Sequence, residues 1–159
     1  MLPEAGSGNR DPEGLPPRRP TGGPRAFSVA EANALLPYLR EVLSGARGHL
    51  ATMRTAHREL RAIEAVGRDV RGAWILAADH RATVAALRRQ HAACAALLQD
   101  AHARGCLVKD LDAGICDFPG QIADHPVLLC WQLDEQAVTH FHGLDDGFAG
   151  RRAIPPETP

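Results

Sequence analysis

Two histidines one residue apart, His140 and His142, follow a lone thiol, Cys130, and precede paired carboxylates, Asp145 and Asp146. A strand turns successive side chains to opposite faces, so His140 and His142 share a face if this stretch is extended. Cys130 on the preceding apolar run can join them, with Asp145 just beyond. Imidazole, thiolate and carboxylate donors suit zinc or iron, which makes Cys130, His140, His142 and Asp145 the expected metal ligands. The same span can do proton chemistry, with His142 as acid, base or ligand and Glu135 or Asp145 as its carboxylate partner. Arg151 follows Gly-Phe-Ala-Gly and suits an anionic group. Lys109, Asp110, Asp117, Trp131 and Arg151 would line such a ligand site. The competing reading makes Cys130 a small buried hydrophobe and the histidines satisfied polar groups at a sheet edge.

The elements that must carry these residues are of two kinds. Phe27-Ser28 with Glu31 reads as a hydrophobic staple and capping box opening a helix to about Val66, with Pro37 inside it and a kink expected there. Its apolar positions, from Ala32 through Leu39, Ala46 and Met53 to Ile63, keep a heptad rhythm. A break over 67–72 leads to an Ala-rich second helix, about Ala73 to Arg104, which Gly105 terminates. Folded back as an antiparallel hairpin, the helices set residues whose numbers add to about 139 opposite one another. That makes His49, His91 and Cys94 a secondary candidate cluster, against the plainer reading of a polar helix flank. Short strands are expected at 106–109, 115–118, 127–131 and 138–142, with Pro119 and Pro126 bounding strands and turn chemistry over 120–125. The expected class is α+β: a long antiparallel helical hairpin, then a small three- or four-stranded antiparallel sheet with one face covered by helices. The segment after 143 reads as irregular.

Composition bounds the rest. The 159 residues suit one domain, over 27–151, with a Pro/Gly-rich disordered tail over 1–25 and a short tail over 152–159. The domain divides into a hairpin, 27–105, and a β unit, 106–151. A formal charge of −1 argues against a dedicated nucleic-acid binder. No apolar run would span a bilayer and no signal-peptide pattern opens the chain, so a cytoplasmic location is expected. The four cysteines are widely spaced, which indicates reduced thiols rather than a disulfide framework. An Ala/Leu seam on only two helices leaves apolar surface to cover, which favours a homodimer.

Phe-Ser-Val-Ala-Glu-Ala-Asn-Ala-Leu-Leu-Pro from Phe27, Val-Lys-Asp-Leu-Asp-Ala-Gly-Ile-Cys-Asp-Phe-Pro from Val108, Leu-Leu-Cys-Trp from Leu128, and His-Gly-Leu-Asp-Asp-Gly-Phe-Ala-Gly-Arg from His142 together resemble the bacterial domain of unknown function 2203 family. The likeness runs from Phe27 to Arg151 and is loosest in the helical middle. It implies a helical hairpin with a compact C-terminal unit, and it supplies no activity to transfer. The family pattern has an aromatic where His140 stands, tryptophan at Phe141 and glutamate at Gly143. It matches at Cys130, Glu135, His142, Asp145 and Arg151, which draws weight from the His-x-His pair towards those five. Two functions are open at this point. One is a metal or small-ligand site on the β unit, with catalysis by His142, Glu135 and Asp145 as its extension. The other is a non-enzymatic interaction protein that dimerises through the hairpin.

Overall fold

The computed structural model describes residues 26–156 and 158; the expected tail over 1–25 lies outside them. Helix α1 spans Val29–Val66 and α2 spans Ala77–Ala103. The strands are β1 (Leu107–Asp110), β2 (Ile115–Ile122), β3 (His125–Gln132), β4 (His140–His142) and β5 (Arg152–Ala153). They form one five-stranded antiparallel sheet in the order β1-β2-β3-β4-β5. The class is α+β with a helical hairpin, as expected, and the sheet has one strand more than expected because Arg152–Ala153 pairs with β4. The described residues form two compact units, Pro37–Ile115 and the described residues on either side of it.

The helix ends follow local chemistry. Ser28 Oγ accepts from the Glu31 amide at 3.1 Å, and the Glu31 carboxylate accepts from the Ser28 amide at 2.9 Å, which closes the capping box. At the far end Gly105 takes φ +90, and the amides of Gly105 and Cys106 donate to the carbonyls of His102 and Ala101. That bond pair is a Schellman cap, whose left-handed residue is normally glycine. In the hairpin unit α1 and α2 meet where the Cys94 thiol donates to the Ala46 carbonyl, Tyr38 to Asp100, and His49 Nδ1 lies 2.6 Å from Gln90. The second helix starts at Ala77 rather than Ala73. The intervening residues make a braced loop instead: Arg68 and Trp74 bridge, and the Asp69 carboxylate accepts from the amides of Arg71 and Ala73.

In the other unit Pro119 and Pro126 lie inside β2 and β3 rather than at their ends. The turn between these strands is only Ala123-Asp124, at φ 49 and φ 64. Two consecutive positive values make the tight hairpin turn whose twist matches the flanking strands. Its core gathers Phe118, Val127, Leu129, Trp131, Val138 and Phe141 with Ala32 and Leu36 from the first turns of α1. The Phe27 amide donates to the Pro119 carbonyl at 2.7 Å, and the Phe27 and Phe118 rings meet edge to face. Gly120 leaves the room this packing needs, since a Cβ there would stand 2.7 Å from Leu129 Cγ and 3.2 Å from the Phe27 carbonyl oxygen.

Candidate metal centre

A two-residue turn pairs Ile122 with His125, and counting back along the hairpin sets Asp117 opposite Cys130. On the other side of β3, Leu128 faces His142 and Cys130 faces His140. Directly opposed residues share a face, so Asp117, Cys130 and His142 stand on one side of three adjacent strands. Trp131, Leu129 and Phe141 take the other side. The Asp117 carboxylate, Cys130 thiol and His142 imidazole each offer a ligand atom, and these atoms lie within 4.8 Å of one another. All three residues are at most 2% exposed. Among the described residues no other set of three such side chains converges.

The hydrogen bonds orient this group. His142 Nδ1 lies 2.8 Å from the Gly143 carbonyl oxygen, which only accepts, so Nδ1 carries the ring proton. Nε2 then faces Asp117 Oδ2 at 3.2 Å. Either a proton lies between them, held on Nε2 or on the Asp117 carboxyl, or the two lone pairs meet on a cation. The other carboxylate oxygen, Asp117 Oδ1, is buried without a hydrogen-bond partner. Such an orphan acceptor is rare in a folded interior. Burial, reinforced by the Asp117 carboxylate, pushes the Cys130 thiol up to about 12, and the Arg151 charge acts the opposite way. A thiol so raised is no nucleophile at neutral pH. A Cys-His-Asp relay fails for a second reason: the two ring nitrogens of His142 go to Gly143 and Asp117, leaving none for the sulfur.

The remaining candidates fall elsewhere. Arg151 Nη2 donates to both Glu135 oxygens at 2.6 and 2.8 Å and to the Cys130 carbonyl at 3.4 Å. The Trp131 indole donates to the Glu135 carbonyl, and the Gln132 amide to its carboxylate. Glu135 is thus committed to the strand end and to Arg151 rather than to His142. His140 is only half-buried, and its Nδ1 meets the Thr139 hydroxyl at 2.9 Å. Asp145 is exposed, and the neighbouring Asp146 receives the Gly143 amide. Neither His140 nor Asp145 joins the cluster. Lys109 and Asp110 are exposed on β1, where Asp110 accepts from the Ala113 amide to shape the turn. The second candidate cluster does not form. His49 faces Gln90, so His91, one residue further along α2, turns about 100° away and is exposed.

Asp117 was placed by sequence among the ligand-lining residues, not among the metal donors. The register that gives Asp117 this role follows from the two-residue turn at Ala123-Asp124, which no glycine announces in the sequence.

The family model described as an uncharacterized conserved protein (DUF2203) matches residues 25–154. No curated protein matches the chain. No solved structure matches it.

Proposed function

We propose that this chain, which belongs to the DUF2203 family, binds one zinc ion through Asp117, Cys130 and His142, and that the ion ties β2, β3 and β4 together. The observation that carries the reading is the unpartnered Asp117 Oδ1 beside an imidazole whose Nδ1 is already held by a backbone carbonyl. Metal-binding histidines typically donate their second nitrogen in this way, which fixes the tautomer and aims the other lone pair at the ion. With both oxygens turned to the metal, Asp117 would bring the donor count to four from three residues, a closed set that suits a structural zinc. The burial of all three ligands supports that role over one in which a substrate must reach the ion. Zinc would also account for the thiol, because coordination replaces its proton.

The test is elemental analysis of untagged protein purified without chelator. One equivalent of zinc is expected, and His142→Ala should carry far less. Metal well below one equivalent in the parent protein, after incubation with buffered zinc, would remove the proposal; one equivalent of iron would replace the ion but keep the site.

A further inference from the structure

The described residues expose four large hydrophobic side chains, and three of them, Val66, Val70 and Ile75, lie in or beside the loop between α1 and α2. Val70 is 104% exposed. The loop is nevertheless built: beyond the Asp69 bonds, Arg68 donates to the Gly72 carbonyl at 2.6 Å and lies 3.7 Å above the Trp74 ring, which stacks on His80. A loop braced this thoroughly keeps these apolar side chains in water rather than folding them inward.

Charge indicates what it docks on. Residues 47–93 carry nine arginines, no lysine and four carboxylates. Residues 116–156 carry two arginines and six carboxylates. The near-neutral total thus conceals a basic hairpin and an acidic β unit. The acidic unit holds a cavity of about 730 Å³ with Phe27, Ile122 and Pro155 among its apolar walls and Glu31, Asp124 and Gln121 among its polar ones. An apolar floor with an acidic rim complements an apolar knob with a guanidinium collar, here Arg68 and Arg71. From this we infer that the α1–α2 tip of one copy of the chain seats in the Phe27–Ile122–Pro155 cavity of a second copy. When each copy gives its tip to the other and receives one, the pair has two-fold symmetry and the assembly closes as a dimer.

Two exposed positions test this in the full chain without disturbing its core. Val70→Glu puts a carboxylate on the knob, and Gln121→Arg puts a cation on the cavity rim. Sedimentation of the parent protein at micromolar concentration should give a mass above the 17.1 kDa of one chain, falling towards it as salt is raised. Each variant alone should self-associate at least about tenfold more weakly, Val70→Glu by losing one buried valine and Gln121→Arg by setting a cation against Arg68 and Arg71. An equimolar mixture should then form a one-to-one complex, because the intact tip of the Gln121→Arg chain meets the intact cavity of the Val70→Glu chain. A parent protein that stays at 17.1 kDa overturns the inference, as do variants that associate like the parent or a mixture that does not complex.

Discussion

Replacing the Cys130 sulfur with oxygen tests the metal site where packing changes least. Cys130→Ser keeps the shape of the side chain, but its hydroxyl holds its proton and is a poor zinc donor. A structural zinc is bound by about 10–16 kcal/mol, so each of three ligand residues carries about 4 kcal/mol, and losing one weakens binding roughly 10³-fold. With free zinc buffered at about a thousand times the parent dissociation constant, the parent protein gains about 4 kcal/mol of stability. The variant's dissociation constant then equals the free zinc concentration, and its gain is about 0.4 kcal/mol. In a domain of this size that corresponds to a zinc-induced rise in melting temperature of about 12–15 °C for the parent and about 1–2 °C for Cys130→Ser. Each protein is compared with itself, with and without zinc, so the cost of burying a hydroxyl cancels. Differential scanning calorimetry reads both numbers. Equal shifts in the two proteins, or no shift in the parent, would refute the assignment of Cys130 as a ligand.

Two further outcomes are expected. In metal-free protein the folded Cys130 thiol titrates at about 12 against an ordinary 9.0. The folded state keeps a proton that the unfolded state releases, so this contribution is complete below pH 9 and is lost as pH rises towards 12. The loss reaches about 4 kcal/mol; urea unfolding across that range should show it in the parent and not in Cys130→Ala. Glu135→Ala strands the largely buried Arg151 guanidinium and should cost about 2–4 kcal/mol. Removing both charges, as Glu135→Ala with Arg151→Met, should recover part of that loss in the same unfolding assay, and no recovery would mean the two residues act independently.

The helix boundaries could be read from sequence wherever a short-range interaction sets them. Ser28 with Glu31 and the glycine at 105 each act within a few residues of themselves, and both behave as their types require. That His140 and His142 share a face needs only strand alternation, whereas setting Cys130 on that face needs the pairing register of β3 with β4. Asp117 was not assigned as a ligand, since its role depends on a hairpin register set by Ala-Asp, a turn without the glycine that usually announces one. Reading Pro119 and Pro126 as strand ends hid that hairpin further. His140 and Asp145 have suitable chemistry but not the burial, and burial is a property of the packed sheet rather than of any local pattern. Residues whose numbers add to 139 do face one another, as His49 and Gln90 show, and one residue of helical rotation is enough to turn His91 away from His49.

The group that aims His142 is a peptide oxygen, so no single amino-acid replacement can delete it. What can vary is where the main chain at Gly143 stands, and the Gly143 amide is tethered to the Asp146 carboxylate at 3.0 Å. A side chain added at 143 would meet that carboxylate at 2.5 Å. The stretch from Gly143 to Asp146 therefore sets the direction in which the ring presents Nε2 to Asp117, and it does so without supplying any of the three donor atoms itself.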